Sequence, residues 1–262
     1  MAFSSLTFEV SDRIGVITFT TPERLNGISE ERLADLEAVL DAVERDESIR
    51  ALIITGTGKA FCVGLDLDLL DRAFDDIAYF MATVRRLSTI VTRIEALEIP
   101  TIAAINGFAR AGGFEMTLGC DFCIIADEAR IGDVHTDAGV VPAFVSLRLR
   151  RRVGDQRAKD ILWTARWYTG AEAVEIGLAL KSVPLASLLD ESRAYALSII
   201  DKPRAAIAAL KRVYIQGADM SVAQGTELEL ANFADYMSTQ PYGREGYRAF
   251  REKREPDWRG VA

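Results

Sequence analysis

Over the first ~130 residues two apolar patterns alternate: short continuous runs of strand length, and stretches where apolar residues recur every three or four positions. Ile14-Gly-Val-Ile-Thr-Phe19 is rich in β-branched and aromatic residues and stops at Thr21-Pro22, which predicts a strand. Leu33, Leu36, Val39, Leu40 and Val43 then share one helical face. Ser29 fits its N-cap, and Glu30 and Glu31 put negative charge in its first turn. Ala51-Leu-Ile-Ile-Thr55 is a second strand-like run, stopped by Gly56-Thr-Gly58. Tyr79 to Leu97 predicts a long helix that Ile99-Pro100 ends. Thr101-Ile-Ala-Ala-Ile105 and Phe122-Cys-Ile-Ile-Ala126 are further strands, with a short helix expected to begin near Gly113 between them. Strands alternating with helices predict an α/β core with crossover connections.

After Gly154 the pattern turns mostly helical. Thr169-Gly-Ala-Glu172 is a capping-box signature. Pro203 suits the first position of a helix running to about Gln216, and Ser221 to Met237 and Gly243 to Lys253 read as two more. The expected organisation is an α/β core over residues 1–200 and a helical region over 201–262. That second part is small for an independent fold and is expected to pack on a neighbouring subunit.

Composition narrows the function classes. The chain has 262 residues, 49% hydrophobic and 27% charged, which excludes a disordered chain. A net charge of −8 does not suit nucleic acid or an anionic membrane. The longest uncharged stretch, Ile99 to Ala109, is eleven residues, against the ~20 that cross a bilayer. The opening MAFSSLTFEVSDR lacks a basic segment followed by an apolar run, so no secretory signal is expected. Three cysteines argue against a disulfide scaffold and for a reducing, cytoplasmic setting. Cys120-Asp-Phe-Cys123 has no second pair or histidine cluster, so no metal is expected and both cysteines read as small core residues of a strand.

Three segments could carry chemistry. Asn106-Gly-Phe-Ala-Arg-Ala-Gly-Gly-Phe-Glu115 runs from a strand through two glycines into a helix. That path points free N–H groups and the positive helix end at whatever lies before Gly112, with Glu115 about one turn in. A carboxylate there suits acid–base work beside a developing oxyanion; the same residues also fit a purely structural strand–turn–helix. Thr55-Gly-Thr-Gly-Lys-Ala-Phe-Cys-Val-Gly-Leu-Asp-Leu67 has no phosphate-loop pattern and by itself is a turn after a strand. The only histidine lies in Asp133-Val-His135-Thr-Asp137. If that segment is extended, Asp133 and Asp137 share the side of His135, where either can fix its tautomer and favour imidazolium. Arg148-Leu-Arg-Arg-Arg152 reads as a solvated helix face, and no G-x-S-x-G elbow is present.

Taken in order, these segments resemble the enoyl-CoA hydratase/isomerase (crotonase) superfamily. The landmarks are Pro22-Glu-Arg-Leu-Asn26, Ala60-Phe-Cys-Val-Gly-Leu-Asp-Leu67, Pro100-Thr-Ile-Ala-Ala-Ile-Asn-Gly107, Ala111-Gly-Gly-Phe-Glu115 through Cys120-Asp121, Gly139-Val-Val-Pro142, Thr169-Gly-Ala-Glu-Ala173 with Gly177-Leu178, and Phe250-Arg-Glu-Lys-Arg-Glu-Pro256. The resemblance implies a spiral of ββα repeats with a helical C-terminal trimerisation region, and homotrimers or dimers of trimers. It implies an acyl-CoA substrate, with no cofactor beyond the coenzyme A of that substrate. Carried over by position, the backbone N–H groups of Leu65 and Gly112 hold the thioester oxygen, and Glu115 matches the first of two catalytic glutamates. Coenzyme A would run past the turn from Arg24 to Asn26 and the segment holding Cys62, Gly64 and Asp66. The second glutamate position falls on His135. The glycine-rich stretch usual after the proline is replaced by Pro142-Ala-Phe-Val-Ser-Leu147, which implies an altered acyl pocket. Ala143 stands where the dehalogenase branch places its aspartate. The resemblance therefore implies hydration of a 2-enoyl-CoA first. Double-bond isomerisation, decarboxylation or C–C bond hydrolysis of a β-diketone on the same fold come next, and an RNA-binding or structural paralogue last.

Overall fold

The computed structural model describes residues 3–258 and residue 260. The chain divides into two compact units. One runs up to Glu95 and from Pro100 to Ala196; the other joins residues 96–99 to Leu197 and beyond.

The first unit is built on two sheets. Strands β1 (Leu6–Ser11), β2 (Ile14–Phe19), β3 (Ala51–Gly56), β5 (Thr101–Ile105), β7 (Phe122–Ala126) and β10 (Lys181–Val183) lie side by side in that order. Only β1 runs antiparallel to its neighbour. The second sheet holds β4 (Ala60–Cys62), β6 (Phe108–Arg110), β8 (Arg130–Gly132) and β9 (Tyr168–Thr169). Each of β3, β5 and β7 is followed at once by its counterpart β4, β6 or β8. The chain thus visits both sheets once per turn of a spiral. Helix α1 (Glu30–Arg45) precedes the first such turn; α2 (Leu67–Asp75) with α3 (Ile77–Ala96), and then α4 (Gly112–Thr117), join the successive turns. The continuous apolar runs have a physical reason. Ile53, Ile54, Ile102, Ala103, Ile124 and Ile125 are all fully buried, because a parallel sheet is covered on both faces.

Helix α1 follows its predicted start. The Ser29 side chain accepts from the Arg32 N–H, and Leu33, Leu36, Val39, Leu40 and Val43 form its buried face. Arg86 on α3 pairs with Glu30 and Glu37, and Arg93 with Asp41 and Glu44. The remaining helices of this unit are α5 (Ser146–Val153), α6 (Asp155–Thr164), α7 (Gly170–Glu175) and the start of α8 (Leu188–Ile200). The capping box at Thr169 is formed.

Two local expectations are corrected. Cys120 lies in the turn before β7, although it is buried like Cys123. Arg148 is not on a solvated face: its guanidinium donates to Glu95 and to the Thr92 hydroxyl, and Arg152 donates to the Cys120 carbonyl. Solvent takes only Arg150 and Arg151 of that run.

The second unit carries α9 (Arg204–Gln216), α10 (Val222–Thr239) and α11 (Tyr242–Glu252). Pro203 caps α9 rather than opening it, since its ψ of 126° is extended. Ser221 and Gln224 close a capping box on α10.

Candidate active site

Strands β4, β6 and β8 are adjacent and parallel, so their carboxyl ends lie along one edge, the place where α/β sheets hold ligands. Leu65 follows β4 by three residues, Gly112 follows β6 by two, and His135 follows β8 by three. Proximity here is a product of sheet order.

At Leu65 the backbone is held from one side only. The Ile28 N–H donates to the Gly64 carbonyl (2.8 Å), and the Ile28 carbonyl accepts from the Asp66 N–H (3.0 Å). Leu65 lies between these two bonds, and its own N–H has no acceptor among the described residues. Gly112 opens α4 behind a residue with no capping side chain, and its N–H is unshared in the same sense. Both residues line one cleft of about 1230 Å³. Gly64 sets their separation. Its φ is +90°, and a Cβ there would lie 2.8 Å from the Ala111 Cβ and 3.0 Å from the Gly112 nitrogen. Ala111 itself is bent to φ 46°, ψ −128°, a conformation costing a residue with a Cβ about 1–3 kcal/mol.

Beside these donors three titratable groups face one another. Glu115 is 4% exposed, and its Oε1 has no partner among the described residues. Burial, helped by the Asp133 charge, pushes its carboxyl up to about 7; His135 and the Ala143 backbone pull the other way. Asp133, 1% exposed, accepts from the His135 backbone N–H (3.0 Å) and bonds its ring Nδ1. Burial works against charge on that ring, but the Asp133 bond and the Asp133 and Glu115 charges prevail and hold the His135 pKa above its ordinary value. With Nδ1 committed to Asp133, Nε2 is the nitrogen left for a ligand.

Asp137 does not share this role. The chain turns rather than extends after His135: the His135 carbonyl accepts from the Ala138 and Val140 N–H groups, both at 3.0 Å. Asp137 is left exposed at the cleft wall without a bond to the ring.

Arg24 and Asp66 line the cleft, but they face each other first. The Arg24 guanidinium pairs with Asp66 (2.9 Å) and Asp68 (2.6 Å). The expectation that Asn26 and Cys62 would meet coenzyme A is corrected. Asn26 is fully buried; its side chain accepts from the Thr21 N–H and donates to the Thr57 and Ala60 carbonyls. Cys62 is fully buried in β4, and burial pushes its thiol up to about 11. Gly64 acts as a spacer behind the donors. Sequence reasoning missed Arg110 and the apolar wall residues Phe74, Phe80 and Trp167, whereas Phe144 lies in the Pro142–Leu147 segment expected to alter the acyl pocket. For Phe74 a signal existed: it falls off the buried stripe of α2 and is 66% exposed. Among the described residues no group of side chains is arranged to hold a metal ion, and no helix is long and apolar enough to cross a membrane.

A profile of the enoyl-CoA hydratase/isomerase family matches residues 9–261. The chain belongs to that family. A probable enoyl-CoA hydratase of Mycobacterium tuberculosis is 34% identical, with 98% of this chain and 99% of that one covered. A crotonyl-CoA hydratase of Syntrophomonas wolfei is 32% identical over 98% of this chain and 99% of its own. Among solved structures, an enoyl-CoA hydratase of Mycobacterium smegmatis superposes with a TM-score of 0.92 at 30% identity, covering 97% of this chain and 99% of that one. The ββα spiral is therefore the crotonase fold. As an enoyl-CoA hydratase/isomerase family member, the chain is an enzyme of acyl-CoA chemistry.

Proposed function

We propose that this enzyme hydrates a 2-enoyl-CoA through a thioester enolate. The observation that carries the reading is the pair of unshared N–H groups, Leu65 and Gly112, beside a buried carboxyl pushed up to about 7. In this reading both N–H groups donate to the thioester oxygen and stabilise the charge that grows there. Glu115 as carboxylate takes a proton from water while the water oxygen bonds the β-carbon. His135, as imidazolium, gives the proton from Nε2 to the α-carbon. A carboxyl near 7 suits both removal and return of a proton at neutral pH. The cleft takes coenzyme A as part of the substrate, and the reading needs no other cofactor. Loss of the enoyl absorbance of crotonyl-CoA on adding the protein tests it. No loss with enoyl-CoAs of any chain length removes hydration.

The Asp133–His135 pair favours a second reading within the same fold, hydrolysis of a C–C bond in a β-diketone. There an imidazole backed by a carboxylate activates water against a ketone. Consumption of a 1,3-diketone without enoyl-CoA turnover selects it. Isomerase and decarboxylase activity have no comparable support.

The roles fix a pH profile. Turnover needs Glu115 ionised and His135 protonated, so it falls on the acid side as Glu115 takes up a proton and on the alkaline side as His135 loses its own. In His135→Gln the alkaline limb disappears. The acid limb moves to higher pH, because the cation that held Glu115 down is gone. Superimposable kcat–pH profiles with similar rates remove His135 from the proton transfer.

The homotrimer, or dimer of trimers, belongs to the same proposal. Helices α9 to α11 expose Tyr214, Val222, Phe233, Tyr247 and Phe250, large side chains that a subunit contact would cover. Light scattering is expected to give three or six times the monomer mass, and a monomer at micromolar concentration overturns this part.

A further inference from the structure

The charges of the cleft wall do not balance locally. Arg24 is held by Asp66 and Asp68. Arg110, by contrast, lines the same cleft with no hydrogen-bond or ion-pair partner among the described residues. Its position follows from register. Arg110 pairs with Gly132 of β8, three residues before His135. Ala109 is fully buried, so Arg110 and Phe108 share the opposite face of β6. On that face Phe108 meets Trp167 edge-on, with ring centroids 5.7 Å apart. Trp167 is the next wall residue across Gly132: a Cβ on Gly132 would lie 3.6 Å from the Trp167 Cα. Gly132 carries no side chain to shield the guanidinium from the indole side. The result is an exposed cation on the cleft wall, two residues from Gly112 and on the face of β6 that carries Phe108.

An unpaired guanidinium in a largely apolar cleft is a forked donor for a carboxylate. Resting on the reading that Leu65 and Gly112 hold the thioester oxygen, we infer that Arg110 selects acyl-CoAs whose acyl group ends in a carboxylate. The carboxylate would lie against the guanidinium while the chain crosses Trp167. Asp137 and Glu115 face the same cleft and would repel such an anion, so the preference depends on Arg110.

The test is calorimetric binding of two saturated esters that cannot be hydrated, glutaryl-CoA and hexanoyl-CoA. They are close in length and differ in a terminal carboxylate. Wild type is expected to bind glutaryl-CoA about 10–100-fold more tightly than hexanoyl-CoA, the range for a charged hydrogen-bonded pair. Arg110→Gln is expected to erase that preference while changing hexanoyl-CoA affinity less than twofold, and Arg110→Lys to keep part of it. Equal affinities in wild type overturn the inference. So does an equal loss for both esters in Arg110→Gln, which would place the guanidinium on a group common to all coenzyme A esters, such as a phosphate. Hydration is judged separately with glutaconyl-CoA and 2-pentenoyl-CoA. Selective binding without turnover of either keeps Arg110 as the selector and sinks only the hydration; failure of both saturated esters to bind sinks both.

Discussion

Glu115→Gln is expected to lower turnover about 10²–10⁴-fold and, unusually for an active-site change, to make the protein more stable at alkaline pH. The loss follows from removing the carboxylate that takes a proton from water in the hydration reading. The gain follows from burial. The folded-state pKa of about 7 stands above the ordinary 4.5. Ionising Glu115 in the folded protein therefore starts to cost stability as pH rises above about 4.5, and the full cost is present above about 7. By linkage that cost is roughly 3 kcal/mol. Glutamine carries no charge and escapes it. The melting temperature of Glu115→Gln should therefore exceed that of wild type at pH 8.5 and match it near pH 4.5. Acyl-CoA binding should persist, since the Leu65 and Gly112 N–H groups remain. A variant keeping more than half of wild-type turnover, or one equally stabilised at both pH values, removes Glu115 from this role.

The second large effect is expected at Gly113, one residue past the proposed donor. A Cβ at Gly113 would lie 2.0 Å from the Cys62 carbonyl oxygen. Backbone cannot yield as a side-chain tip can, so α4 must lift off β4. Gly113→Ala is expected to lose about 1–3 kcal/mol or more, a fall in melting temperature of roughly 2–12 °C for a chain of this size. Turnover should fall to background because Gly112 and Glu115 both ride on α4. At Gly112 a Cβ meets the ends of the Ile28 and Leu87 side chains at 3.1 Å, which can move, and the Gly64 Cα at 3.3 Å, a far looser backbone contact than the 2.0 Å at Gly113. Gly112→Ala is therefore expected to be milder in stability. The order is checked by thermal melts and acyl-CoA calorimetry on both variants, and a Gly113→Ala protein that melts with wild type refutes it.

Much of this was legible in the sequence because the signals were local. Ser29, Thr169 and Ser221 begin helices through bonds to residues three positions on, and the buried strands are apolar without interruption. Glu115 and the Gly112 turn could be proposed from one continuous segment. What escaped was set by distant residues. Asn26 looks like a ligand contact until its three partners at Thr21, Thr57 and Ala60 are seen. Cys62 is hidden by sheet packing that no neighbour in sequence announces. The alternation around His135 suggested an extended segment, but the His135 carbonyl closes a turn that no glycine or proline marks before Gly139. Arg110 sits in the most informative segment of the chain and still went unread, because its importance lies in having no partner.

The groups proposed for chemistry sit on three consecutive coils of the spiral, each a fixed few residues beyond its strand. The ~4.8 Å step between neighbouring strands then works as a ruler. It sets the spacing of Leu65, Gly112 and His135 whatever the helices between them contain. The 20-residue α3 could gain or lose a turn without altering that spacing. Conversely, one exchange at the tip of the third coil changes the reagent offered there while the first two keep their grip. A frame of this kind lets the reaction drift by single residues and the substrate grip stay constant.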